Sequence, residues 1–362
     1  AFSSPDDVLE REIMNGLFPD NTYGVESGGD PNNIPELSYE EFLDFHRTYY
    51  HPSNSYIYLY GNMDMEEKLN FIDEKYLSAF DNLDVDSQIP KQPAFAQVKE
   101  FEKEYPVAEN EEEEGKAFLS YNMVVGDAMD SMLGVAFDVL DYALLSAPGA
   151  PLKKALLDAG IGKDIYGSYN DGFLQPYFSV IAKDARTEQK EEFVAVIRKV
   201  LQDIVQNGID KKAILAGINY MEFRYREADF GSYPKGLMYG LDIIGTWLFD
   251  ENEPFAQVKL LDIYNRLKEA VNEGYFEGLI QKWLLDNTHG SILTLVPKKG
   301  LAAKREKELA DKLESFRSSL SDEQLEEMVR KTKALEEYQE SEEKPEDIAC
   351  IPMLKRSDIR KE

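Results

Sequence analysis

Three histidines and one cysteine, His46, His51, His289 and Cys350, are the scarce side chains that could ligate a soft metal or act as nucleophiles. His46 and His51 stand five residues apart with Pro52 directly after them. Two imidazoles sharing a metal from one helix face need a spacing of four, so that both project from the same side. Neither H-E-x-x-H nor its inverse H-x-x-E-H occurs in the chain. His46 therefore reads as packing beside its aromatic neighbours, His51 as a turn residue and His289 as a strand-edge residue. A single cysteine excludes an internal disulfide framework and any Cys-rich metal site. Cys350 has no histidine near it in sequence and no G-x-S-x-G elbow exists, so nucleophilic catalysis has no centre. Asn82, Asp84 and Asp86 lack the glycine and terminal glutamate of a calcium loop. The acidic run from Glu109 to Glu114 reads as a solvated loop, and Gly24, Gly28 and Gly29 do not match a phosphate-binding fingerprint. Residue types and spacing alone complete no active site.

A second class of site needs no titrating group. An exposed sheet edge can hold an extended peptide by main-chain pairing. The run Asp164-Ile165-Tyr166-Gly167-Ser168-Tyr169 has the small residues that allow close backbone approach, and Ser146-Ala147-Pro148-Gly149 is a loop expected beside it. On the residues alone, a peptide-binding edge and an ordinary edge strand both remain open.

The elements that would position these residues are legible from caps and periodicity. Ser4, Pro5, Asp6 and Asp7 start a helix running to about Gly16. Ser38 with Glu41, and Asp64 with Glu67, are capping boxes that open two more. Ser55 to Tyr60 is β-branched and aromatic and predicts a strand stopped by Gly61. A polar stretch from about Asp81 to Pro93 reads as a linker. Beyond it, strands are expected at 94–107 and 116–125, joined as a hairpin through the acidic run, with an apolar helix over 128–145 and a short one over 151–159. Asn170-Asp171-Gly172 predicts a second hairpin between 164–169 and 173–182. Helices fill 187–285, a strand covers 291–296, and two charged helices follow, split at Ser318 to Ser321. The order helix, turn, strand, helix around residues 55–60 recurs around 292–296, which hints at tandem related domains. The expected class is α+β, with tandem two-layer sandwiches followed by a helical hairpin.

Composition narrows the partners. The chain has 362 residues with 69 acidic against 40 basic side chains, a formal charge of −29. Nucleic-acid phosphates need lysine and arginine, so the acidic excess argues against that class; it favours cationic partners such as basic peptides, or reflects nothing more specific than solubility. No apolar run approaches the roughly 20 residues of a membrane span, and no signal-type start is present. Residue 1 is Ala, and Phe2-Ser3-Ser4-Pro5 reads as the interior of a longer protein.

Several phrases occur together in order: Phe2-Ser3-Ser4-Pro5-Asp6; Tyr23-Gly24-Val25-Glu26-Ser27-Gly28-Gly29-Asp30-Pro31 with Ile34-Pro35; Tyr39-Glu40-Glu41-Phe42 with Phe45-His46; Tyr50-His51-Pro52-Ser53-Asn54-Ser55; and Tyr60-Gly61-Asn62. With Leu145-Ser146-Ala147-Pro148-Gly149-Ala150-Pro151-Leu152 further on, the chain resembles the insulinase-type zinc metallopeptidases of the presequence-protease and falcilysin branch. The resemblance implies four homologous α+β domains closing around a chamber, with zinc held by H-x-x-E-H and a third glutamate in the first domain. Those ligands would precede residue 1; Glu10 and Glu12 follow the phrase and are not promoted to ligands. The implied organisation is the end of a first domain (1–93), a second, non-catalytic domain (94–300), a helical hairpin linker (301–343) and a tail (344–362). The same resemblance implies that Ser146, Ala147 and Gly149, with Gly167, Ser168 and Tyr169, anchor the substrate's N-terminal part. It makes the parent a zinc-dependent endopeptidase for unfolded, basic, presequence-like peptides, and this chain a piece that binds no zinc and does not cleave. A non-catalytic peptide-binding or scaffold homologue is the alternative. The expected compartment is the cytoplasm of a bacterium or an organelle matrix in a eukaryote. The remaining parental domains are expected partners, and the partial first domain could self-associate.

Overall fold

The computed structural model describes residues 4–351 and 353–359, so Phe2 and Ser3 of the first phrase lie outside the described residues. Five strands form one sheet: β1 (Lys99–Pro106), β2 (Ala117–Val124), β3 (Asp164–Asn170), β4 (Tyr177–Ala185) and β5 (Gly290–Lys298), in the order β1-β5-β2-β4-β3. Burial explains the order. β2 is buried along its whole length, and β4 and β5 nearly so, which suits strands covered on both faces. β1, with Lys99, Glu100, Glu102, Lys103 and Glu104, sits at one margin. This corrects the expected hairpin between the first two strands. β5 lies between them, parallel to β1 and antiparallel to β2, because Ile292, Leu293 and Leu295 need cover that a marginal place would not supply. The run from Glu109 to Glu114 is exposed as expected, and Glu113 Oε1 accepts the Lys299 N–H at 2.6 Å. The hairpin at Asn170-Asp171-Gly172 does join β3 to β4.

Helices cover both faces. α4 (Ser131–Asp141), α5 (Pro151–Asp158), α6 (Lys190–Asn207), α7 (Lys211–Glu227), α9 (Leu261–Ala270) and α10 (Tyr275–Leu279) build one layer, whose core includes Tyr121, Met123, Phe137, Phe178, Val180 and Ile280. α1 (Pro5–Leu17) covers the other face, with Val8, Leu9, Ile13 and Leu17 against Phe118, Ile181, Leu293 and Leu295. The stretch Ser131–Asp158 is long and apolar enough by composition to cross a bilayer, which the sequence reading had not anticipated. Here it is α4, a π turn and α5, half buried and broken around Pro148 and Gly149.

The strand expected at Ser55 to Tyr60 is absent: among the described residues no strand pairs with it. Aromatic propensity favours an extended shape, but a strand also needs a neighbouring backbone. The alternate side chains instead line up along α8 (Lys235–Trp247). Tyr56 meets Trp247 with ring centroids 4.5 Å apart, and Tyr58 and Tyr60 lie over Gly240 and Gly236, where no Cβ blocks them. The repeat read around residues 55–60 thus lacks its strand in the first copy. α2 (Tyr39–Tyr49), opened by the Ser38–Glu41 capping box, and α3 (Met65–Lys75) contain no buried residue. The polar stretch before Pro93 carries no helix or strand but is tied down at Gln92. Its side chain exchanges hydrogen bonds with Asp20 (2.7 and 2.9 Å), and its backbone does so with Gln175 (2.7 and 3.2 Å).

Residues Ala1–Gly300 cluster as one compact unit and Leu301–Glu362 as another. The second unit contains α11 (Leu301–Ser319) and α12 (Asp322–Glu340), split where the sequence indicated, and the short α13 (Pro345–Ile348) in the tail.

Candidate functional site

β3 ends the sheet on the side opposite β1, and the two margins differ in chemistry. β1 is lined with charge, a common guard against unwanted pairing, whereas β3 is uncharged from Ile165 to Asn170. Its inner side pairs with β4 in the register Gly167↔Val180, Ser168↔Ser179 and Tyr169↔Phe178. Its outer side has no strand among the described residues. Alternation divides the predicted residues between faces. Gly167 and Tyr169 face α4, where the Tyr169 ring stacks on Phe137 with centroids 5.6 Å apart. Ser168 turns the other way and its Oγ accepts from Asn170 Nδ2 at 2.9 Å. The six candidates therefore do not converge as side chains. What Gly167, Ser168 and Tyr169 share is backbone on an open edge, which is what strand addition uses.

The loop candidates reach this edge through the end of α4. There the helix widens into a π turn, Tyr142–Ser146, which packs against β3 and is closed by the Ala147 N–H donating to the Tyr142 carbonyl at 2.7 Å. Leu145 of that turn occupies the space a side chain at Gly167 would need. Ser146 and Gly149 are exposed and Ala147 half-buried, and Gly149 takes φ +77° with open space around it.

Two residues that the sequence reading did not single out lie beneath the same strand. Asp141 Oδ1 is buried, has no hydrogen-bond partner and comes 3.2 Å from where a Cβ of Gly167 would stand. Burial pushes the Asp141 carboxyl up to about 6. Asp138, one turn earlier, is pushed up to about 7 by burial, with the nearby Asp171 and Asp141 charges adding to it. Burial also raises the Tyr169 hydroxyl, followed by the charges of Asp138, Asp171 and Asp130. The signal was present as Asp-x-x-Asp inside the apolar run Ala136 to Leu145, at the spacing that puts both carboxylates on one helix face.

The histidines are occupied elsewhere. His46 is exposed and stacks on Tyr50 at 4.7 Å, and His51 Nδ1 accepts from the Ser53 N–H at 3.2 Å. His289 is more enclosed than a strand-edge residue: it is buried, packs on Phe18 and Phe95, and places Nε2 3.0 Å from the Leu17 carbonyl. Burial lowers its pKa. Among the described residues no three His, Cys, Asp or Glu side chains are grouped so as to hold a metal ion, so these residues do not fit a zinc seat.

Comparison with known proteins agrees with this architecture. Residues 36–221 match the family described as "Peptidase M16 inactive domain", and residues 295–362 match the associated region described for a subgroup of the same peptidases. Protein HypA of Clostridium perfringens is 46% identical over the whole chain, which covers 37% of that protein. Presequence protease 1, chloroplastic/mitochondrial, of Arabidopsis thaliana is 34% identical, again over the whole chain and 34% of the relative. The mitochondrial presequence protease of Xenopus laevis is 29% identical over 99% of the chain and 35% of the relative. The chain thus spans about a third of the length of these curated relatives. Among solved structures, a peptidase M16 inactive domain from Pseudomonas fluorescens shares the fold with a TM-score of 0.60 and 17% identity, covering 82% of this chain and 66% of that one. Half of the chain matches the inactive-domain description, so the chain belongs to the M16 peptidase family.

Proposed function

We propose that this chain supplies the chamber wall and a substrate-anchoring edge of a larger zinc-dependent endopeptidase. The enzyme would act on unfolded, presequence-like peptides. The observation that carries the reading is the contrast between the two sheet margins: β3 has no strand on its outer side among the described residues, is uncharged from Ile165 to Asn170 and is flanked by the π turn and its loop, while β1 is guarded by charge. An extended peptide adds to β3 by main-chain hydrogen bonds, with Gly167, Ser168 and Tyr169 beneath it and Ser146, Ala147 and Gly149 beside its end. The names of the plant and frog relatives, both presequence proteases, support the substrate class, and the net charge of −29 favours basic peptides. The chain by itself binds no zinc and does not cleave, because the zinc ligands and general base belong to other parts of the parent. The compartment is an organelle matrix or a bacterial cytoplasm, in keeping with the relatives' names and sources.

The test is hydrogen exchange on the 362-residue chain with and without a saturating basic, unstructured peptide. Slower exchange in β3 and residues 146–149, with β1 unchanged, is the expected result. Protection confined to other surfaces overturns the reading. Stoichiometric zinc by metal analysis, or chelator-sensitive cleavage of that peptide, would overturn the inactivity of the chain alone. A non-catalytic peptide-binding homologue is the second reading, favoured by the inactive-domain match over residues 36–221. It predicts the same protection in a gene whose reading frame holds no H-x-x-E-H.

A further inference from the structure

We propose that Asp141 and Asp138, with Asp171 at the hairpin turn, form a subsite that takes the lysine or arginine side chain of a peptide paired along β3. The inference rests on the anchoring role of that strand and assigns its side-chain preference.

Cross-strand neighbours place their side chains on the same face of a sheet. A peptide residue beside Gly167 would therefore direct its side chain toward α4, where Asp141 lies. Asp138 and Asp141 are three residues apart on that helix, so their carboxylates lie one above the other. Asp141 comes up to Gly167, and one turn earlier Phe137, the neighbour of Asp138, stacks on Tyr169 with ring centroids 5.6 Å apart, where the charges of Asp138 and Asp171 both act to raise the Tyr169 hydroxyl. The two acids thus follow β3 from Gly167 toward its hairpin end.

Asp138 is half-buried, and Asp141 has one fully enclosed oxygen with no hydrogen-bond partner. The charges acting on Asp138 are both acidic. Asp242 of α8 also feels Asp171, again without a cation. Buried carboxylates normally keep a partner. A guanidinium or ammonium group supplies the missing donors, and the fork of arginine can bridge two carboxylate oxygens. No covalent step is involved.

The test uses the whole 362-residue chain and two fluorescein-labelled, unstructured ten-residue peptides. One contains a single arginine, and the other has citrulline, its neutral near-isostere, at that position. Anisotropy titrations at pH 8 and low salt are expected to show the arginine peptide binding at least tenfold more tightly. Asp138→Asn and Asp141→Asn should each reduce that preference, and the double variant should abolish it while leaving the citrulline affinity unchanged. Each substitution removes one charge from a net of −29, so general attraction to the surface cannot account for such a loss. Equal affinity of the two peptides, or a preference that survives in the double variant, overturns the subsite but leaves the edge-binding role standing. Failure of both peptides to bind or to protect β3 from exchange overturns both. Asparagine is close in size and removes a buried charge, so folding should persist, as thermal melts of the variants would report.

Discussion

Asp138 and Asp141 set a pH dependence whose sign follows from linkage. Their folded-state pKa values, about 7 and about 6, lie above the ordinary value of 3.8. Between roughly pH 4 and pH 7 the folded chain therefore holds more protons than the unfolded chain, and stability falls as pH rises through that window. Asp138→Asn removes the penalty. It should stabilise the chain by on the order of 2 kcal/mol at pH 8 and by much less at pH 4.5, measured by denaturant unfolding at both values. An equal effect at the two pH values would mean that the carboxylate is not the cause. At Gly167 the constraint is space. A Cβ there would stand 2.7 Å from the Ser179 carbonyl oxygen and collide with Leu145. Gly167→Val should cost about 1–3 kcal/mol and weaken peptide binding, since backbone must shift to admit the side chain. A fully stable Val variant would contradict the packing of the π turn on β3.

Elements here are held by a few specific contacts. α1 is fastened at its end by the His289 Nε2–H donating to the Leu17 carbonyl, with Phe18 against the same ring. His289→Ala should cost about 1–3 kcal/mol by leaving that carbonyl unpaired and a ring-sized gap. Hydrogen exchange should then speed up in α1 first, with β2 and β4 little changed. The lowered pKa of His289 gives the opposite sign to the aspartates. The unfolded chain takes up more protons below about pH 6.5, so stability falls on acidification because the buried ring resists charging, although its hydrogen bond to Leu17 opposes that shift. The extended segment 55–60 depends on α8 in the same way. Gly240→Leu would drive a side chain into Tyr58, whose ring already stands 2.8 Å from a built Cβ. Limited proteolysis between residues 55 and 90 should accelerate in that variant while the sheet stays intact. Unchanged cleavage would show that the segment is held by something other than its tyrosines.

Across the whole molecule, charge and exposed apolar surface act together. A net charge of −29 attracts basic peptides over a Debye length of roughly 10 Å at 0.1 M salt. Peptide affinity should therefore fall as salt rises, and fall less for the citrulline peptide. α2 and α3 nevertheless expose Phe42, Phe45, Leu69 and Phe71, a larger set of apolar side chains than a solvated surface usually presents. Concentration-dependent self-association through these helices is the expected outcome, measurable by sedimentation velocity. Phe45→Glu with Phe71→Glu should suppress it while leaving the melting of the sheet unchanged. Association that persists in this double variant would locate the contact elsewhere.

The sequence by itself determined the class, the helix starts with the Ser38–Glu41 capping box, both strands of the β3–β4 hairpin, and the family through short phrases in order. These depend on local chemistry: a capping box, an Asn-Asp-Gly turn, an apolar period. Ser4, however, makes no side-chain cap, and Asp64 accepts the Glu67 N–H without the reciprocal bond of a box. Tertiary structure alone decided the rest, because strand pairing is a relation between distant backbones. β5 entered between β1 and β2 because its apolar side chains require cover on both faces, and nothing near Glu109 to Glu114 announces that. Ser55 to Tyr60 had every local mark of a strand, but among the described residues no strand lies alongside to pair with it. The same holds for the candidate site. Gly167 and the loop from Ser146 to Gly149 could be named from the chain. The Asp-x-x-Asp spacing of the two carboxylates was legible too, but that they lie under that edge, where burial raises their pKa values, was decided only when folding placed α4 across β3.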